Sequence, residues 1–234
     1  MASSQAVSLR TDHDFAAELM LNRVMNGQMQ TSRGSTVNSA SRNMATRFDA
    51  TGLSYGVLAE NIAVGKAVVE GTQNTVTEMR DYVKKLVNVF TAMSNDSDLQ
   101  AMAQTLQPDF ANYFQTQYKG YQVFQGGTHN LTLGDPRSEY MNLTDLDFSG
   151  NTASAVVLLS NKMQNRTIDL NNWKTLCENA LHELDEALVR KGEQINILDN
   201  RYVMYNDLVS TYHDASDNEA LNMGGSTSFL NAVS

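Results

Sequence analysis

The chain has 234 residues, 41% of them hydrophobic, and carries 17 Lys and Arg against 26 Asp and Glu for a formal net charge of −9. That is enough apolar material for a core in one or two domains, which excludes disorder as the whole answer. The acidic balance, with a pI of about 4.8, turns the chain away from nucleic-acid backbones and anionic membrane surfaces.

In chain order, residues 1 to 11 are small and polar, and Met1 to Arg10 has neither a basic n-region nor an apolar h-region. No Sec-type signal is expected there, so export would need another route. Asp12 or Asp14 is placed to cap a helix carrying Phe15, Leu19, Met20, Val24 and Met25, which fades in the Gln/Ser/Arg/Gly stretch of residues 26 to 36. Residues 37 to 55 read as a link. From Leu58 an apolar 4-3 spacing then runs for about five heptads: Leu58, Ile62, Gly65, Val69, Thr72, Val76, Met79, Val83, Leu86, Phe90, Met93. A long helix over about 53 to 93 is predicted. The seam alone would measure about 54 Å. Ala63, Val64, Ala67, Val68, Val87 and Val89 lie outside the strict seam, so the apolar face is wider than one partner helix buries. A third helix of this chain, over 99 to 118, and a subunit interface are both open as its cover.

Ser94 to Ser97 offers a turn and an N-cap for a short helix with Leu99, Met102, Ala103 and Leu106, which Pro108 should break or restart before Phe110, Tyr113, Phe114 and Tyr118. From Gly120 the period changes. Tyr121 and Val123, Leu131 and Leu133, then Leu143, Leu146 and Phe148, separated by Gly-rich turns, read as short strands and hairpins. Val156 to Leu159 is ambiguous. A second long 4-3 seam follows: Cys177, Leu181, Leu184, Leu188, Lys191, Ile195, Leu198, Tyr202, Tyr205, Val209, Tyr212. Its helix is placed from Asn171 or Asn172 to about Tyr212–Ser216, leaving a Gly/Ser/Asn-rich tail. No stretch approaches 18 consecutive apolar residues, so no membrane span is expected.

The fold expected is mainly α: an elongated antiparallel helical hairpin, or coiled-coil rod, with a small β-hairpin region. Residues 1–45 would form a terminal-helix segment and 46–126 the N-terminal half of the core rod. Residues 127–170 would be a small β-rich outer segment, 171–215 the C-terminal half of the rod and 216–234 a flexible or shortened tail. The core seam is expected to hold Val69, Val76, Met79, Val83, Leu86, Leu181, Leu184, Leu188, Ile195 and Leu198.

No catalytic or cofactor constellation emerges. His13, His129, His182 and His213 are scattered, and His182-Glu183 lacks the second histidine of a zincin. Neither Asp214, Asp217 and Glu219 nor Asp145 with Asp147 follows calcium-loop spacing. Gly224-Gly225 follows no strand and opens no helix, so it is no phosphate loop. Asn95, Asn130, Asn142 and Asn165 head glycosylation sequons, a short pattern that arises by chance. Cys177, alone and on a seam, reads as a small buried hydrophobe. No enzyme, metal or cofactor is expected.

Six short stretches in order resemble the bacterial flagellin family. Ser32-Arg33-Gly34-Ser35-Thr36-Val37-Asn38-Ser39-Ala40 resembles its S-S-G-x-x-I-N-S-A signature, and Asp49-Ala50-Thr51-Gly52-Leu53-Ser54 the D-A-A-G-L-A/S that follows it. Ser97-Asp98-Leu99-Gln100 is similar to the start of the family's second helix, and Phe124-Gln125-Gly126 to its F-N-G turn into a β-hairpin. Ala180 to Leu188 resembles A-L-x-x-L/I-D-x-A-L, and Asn200-Arg201 the family's N-R. The resemblance covers about residues 10 to 215. It departs where Ser41 to Phe48 separates the first two signatures, where the R-A-x-L-G-A stretch is not recognisable near Lys191 to Ile197, and where only 33 residues follow Arg201.

What the resemblance implies is a secreted structural protein that self-assembles with copies of itself into an extracellular helical filament, a bacterial flagellum or flagellum-like structure serving motility. Type III export, with a secretion chaperone, would bring it out of the cell. By the same resemblance Asn38, Asp49, Gly52, Leu53, Arg80 and Arg201 would lie at the subunit interface. A hook-filament junction protein, and a secreted flagellin-like adhesin or effector that does not polymerise, are the alternatives.

Overall fold

The computed structural model of the chain describes residues 36–134, 139–148, 151 and 153–232, with side chains at 42–107, 110–134, 139–148, 151 and 153–221. The expected N-terminal helix from Asp12 or Asp14 to Met25 lies outside the described residues. The chain is mainly helical with two small antiparallel hairpins: α1 (Thr36–Thr91), α2 (Asp96–Tyr113), β1 (Gln117–Tyr118), β2 (Tyr121–Gln122), β3 (Asn130–Thr132), β4 (Tyr140–Asn142), α3 (Ala155–Gln164) and α4 (Trp173–Ala232). It divides into two compact units, Leu58–Tyr202 and a second whose described residues are 36–57 and 203–232; α1 and α4 supply residues to both.

Three expectations are corrected. Residues 37 to 55 are helix rather than a link. The segment is rich in Ser and Thr, whose hydroxyls usually compete with the helical backbone, but here they fold back onto it: Thr46 Oγ1 donates to Arg42 O, Thr51 to Arg47 O and Ser54 Oγ to Ala50 O at 2.8–3.0 Å. Pro108 does not break α2. Leu99 and Ala103 before it and Phe110 after it are all buried, so packing carries the helix past one missing bond. Lastly, α4 runs to Ala232 where a tail from residue 216 was expected. Extending a long formed helix needs no new nucleus, and Gly224 and Gly225 weaken it by only about 1 kcal/mol each.

In the unit Leu58–Tyr202, the first seam is buried from Ile62 to Phe90, including Val69, Val76, Met79, Val83 and Leu86. Of the six residues expected to widen that face only Val68 is buried, and it is joined in a second buried row by Thr75 and Tyr82, which the spacing had not singled out, while Ala67, Val87 and Val89 are half-buried. Three other elements of the chain cover the face in turn. Leu131 of β3 sits over Gly65, Tyr118 of β1 over Gly71, and α2 over Tyr82, whose hydroxyl donates to Leu106 O and whose ring meets Phe110 at 5.3 Å. Tyr118 also bonds Thr75 Oγ1 through its hydroxyl at 2.6 Å. A Cβ on Gly71 would stand 2.5 Å from the Tyr118 ring, so the glycine makes the seat. Ala63 and Val64 remain exposed.

On α4 the seam is turned. Cys177, Leu184, Lys191 and Leu198 are buried, but the alternating row is Ala180 and Ala187, while Leu181, Leu188 and Ile195 are half-buried beside it. Alanine lets two helix backbones approach, and the larger leucines fill the flank. The helices run antiparallel, tied by Lys66 to Asp199 at 2.5 Å and Arg80 to Asp185 at 2.5 Å.

The smaller elements are capped and closed locally. Asn95 Oδ1 accepts from Asp98 N at 2.9 Å to start α2, as the turn at Ser94 to Ser97 predicted. β1 and β2 are joined by Lys119 and Gly120 at φ 50° and 83°, the two positive values of a type I′ turn. β3 pairs with β4 in the register Asn130 to Asn142 and Thr132 to Tyr140. Val156 to Leu159, ambiguous in the sequence, is helix α3, capped by Ser154 Oγ accepting from Val157 N at 3.2 Å and packed against α2.

Candidate assembly surface and a buried lysine

The unit built from 36–57 and 203–232 is, in its described part, a pair of antiparallel helix segments. Ser216 Oγ donates to Ala45 O at 3.4 Å, Phe48 meets Tyr212 at 6.2 Å, and Tyr55 stacks on Tyr212 and Tyr205 at 5.6 and 5.8 Å. The aromatic ladder had no counterpart in the sequence reading, although Tyr205 and Tyr212 were on the predicted seam. Gly52 is buried under α4, where a Cβ would stand 3.3 Å from Tyr212 Cβ. Two helices bury only the stripe between them. Met44 (45%), Leu53 (46%), Val203 (57%) and Leu221 (72%) are therefore left to solvent.

The six residues expected at an interface are placed differently from one another. Asn38 belongs to α1, its side chain outside the described set. Asp49 and Leu53 are exposed, whereas Gly52 is consumed by packing within the chain. Arg80 pairs with Asp185, and Arg201 Nη2 lies 3.3 Å from Glu139 Oε1 of the β4 hairpin, so both cations are engaged inside the unit Leu58–Tyr202.

The strongest electrostatic feature of that unit is Lys191. Its side chain is wholly buried, pairs with Asp145 on the loop after β4, and donates to Gln194 Oε1 at 3.0 Å; Gln194 Nε2 donates onward to Asn142 O at 3.3 Å. Burial pulls the Lys191 ammonium below its ordinary value, against the opposing hydrogen bond and charge of Asp145. Beside it a cleft is lined by Asp145, Asp147, Asn151, Glu183 and Arg190. Glu183 is occupied there, accepting from Val156 N at 3.0 Å. The arrangement clamps the 142–145 loop to α4 rather than presenting a nucleophile. A lysine on an apolar seam announces a buried partner, but nothing local in the sequence points 46 residues back to Asp145.

Burial pushes the Cys177 thiol up to about 12, which leaves it a small apolar filler. Lys66 is held above its ordinary value by its hydrogen bond to Asp199. Among the described residues no group of three or more His, Cys, Asp or Glu is placed to hold a metal ion, and no helix is long and apolar enough to cross a membrane. No protein-family model matches the chain, and no curated protein matches it.

Proposed function

We propose that this chain is a self-assembling, non-enzymatic subunit of a flagellin-type helical filament outside the cell, exported by a type III apparatus. One observation carries the reading beside the six flagellin-like stretches: the helix pair of 42–57 and 203–221 buries a single stripe and leaves Met44, Leu53, Val203 and Leu221 exposed. Apolar side chains repeated along a two-helix unit gain burial when copies pack laterally, and a contact that does not close on itself propagates into a filament. The antiparallel pairing of α1 with α4 segments within each unit suits the lengthwise helix packing on which such filaments are built. Asp49 and Leu53 are the interface residues with exposed side chains to offer.

The test is electron microscopy of the purified full chain after an ammonium sulfate step that favours association. Uniform helical tubes are expected. Persistent monomers would overturn the reading and turn attention to a junction protein or a secreted binder acting through residues 127 to 170.

A further inference from the structure

The outer flank of α4 carries a second 4-3 row that is left exposed among the described residues: Val203, Asp207, Ser210, Asp214, Asp217 and Leu221. This is the spacing of a helix-packing seam, with an apolar residue at each end and acids between. Asp217 has His213 Nε2 at 3.6 Å, whereas Asp207 and Asp214 have no ion-pair partner among the described residues. Between 203 and 221 there is no Lys or Arg at all. The matching charge is on α1. There Met44, Arg47, Thr51 and Ser54 follow one another at 3-4-3 spacing, Met44 and Arg47 are exposed, and Arg47 has no ion-pair partner among the described residues.

We infer that the Val203–Asp207–Asp214–Leu221 row is the docking face for a second copy of this chain, which presents Met44 and Arg47 of its α1. This rests on the filament reading and names the contact behind it. The two faces differ and belong to different helices, so the contact is heterologous: each copy offers one face forward and one back, and the chain of contacts stays open. Apolar ends exclude water while the central Arg–Asp pairs set register and reject misaligned copies.

The experiment compares four samples of the full chain by sedimentation and electron microscopy: unsubstituted, Arg47→Glu, Asp207→Arg with Asp214→Arg, and an equimolar mixture of the two variants. All three side chains are exposed, so circular dichroism should show unchanged folding. Each variant alone sets like charges against each other and should need at least about tenfold more protein to assemble. In the mixture every contact meets opposite charges when copies alternate, and assembly should return close to the unsubstituted level. Folded variants that assemble at unchanged concentration, or a mixture that recovers nothing, would overturn the inference while leaving the filament reading standing. Loss with the Asp substitutions but not with Arg47→Glu would assign the row to another basic partner and overturn it as well. An unsubstituted chain that stays monomeric would overturn both.

Discussion

Lys191 shows how one side chain turns a packing seam into a specific clasp. Its charge has left water, and the lowered proton affinity says that this desolvation outweighs what Asp145 returns. Removing only the anion should therefore be the worse change: Asp145→Ala should destabilise the fold by about 3 kcal/mol, because it leaves a buried ammonium unpaired. Replacing both, as Lys191→Met with Asp145→Asn, should be neutral or stabilising, and a urea midpoint as low as that of Asp145→Ala would contradict this. The pH dependence follows from the same shift. With the folded-state affinity below that of the unfolded chain, unfolded molecules bind more protons, so the Lys191 contribution to stability rises with pH up to the ordinary value of 10.5. Lys191→Met should lose that alkaline rise, read as the difference between the two chains' urea midpoints across the window.

At the scale of elements, the hairpins are held by what α1 omits. Gly71 lets Tyr118 lie on the helix and reach Thr75, so β1 is fastened by a ring and a hydroxyl together. In an open helix Gly→Ala gains about 1 kcal/mol from propensity. Here Gly71→Ala should instead destabilise by about 1–3 kcal/mol, since the methyl displaces Tyr118 and breaks the bond between its hydroxyl and Thr75 Oγ1. Against a Tyr118→Ala background the same substitution should turn neutral or favourable, so a double-mutant cycle in denaturant reads the seat directly. Additive effects would mean that Tyr118 does not occupy it. The cap at Asn95 and the I′ turn at Lys119-Gly120 need no such test to explain, because each is a local conformation satisfied by neighbouring atoms.

For the whole molecule, each unit has a core formed by described residues. The seams from Ile62 to Phe90 and from Cys177 to Leu198 are closed by α2, α3 and the hairpins, and Phe48, Tyr55, Tyr205 and Tyr212 close the other unit. Deleting residues 1 to 36 should then leave the long-helix hairpin folded and melting cooperatively while abolishing polymerisation. Filaments formed by the truncated chain would contradict the second half of that prediction, and loss of cooperative melting the first.

Period and punctuation were legible without a structure: the first seam, the Asn95 turn and the start of α4 all depend on neighbours within a few residues, whereas the strands begin at Gln117, before Gly120, and take Tyr118 out of the expected aromatic helix. Of the excess width of the α1 face only Val68 could be read, since Ala63 and Val64 stay exposed and the row is completed by Thr75 and Tyr82. Cover of that face by α2 was one of the two alternatives the sequence left open, and Tyr82 meets Leu106 and Phe110 there; the cover by Leu131 and Tyr118 could not be read, because they reach α1 across loops whose closure no local pattern encodes. The turn of the α4 seam from Leu181 and Leu188 to Ala180 and Ala187 was hidden for a related reason: periodicity registers hydrophobicity, whereas close approach of two helices is decided by side-chain size at the contact. The pairing of Lys191 with Asp145 belongs to the same class. Only the folded chain removes that ammonium from water and brings a carboxylate to meet it.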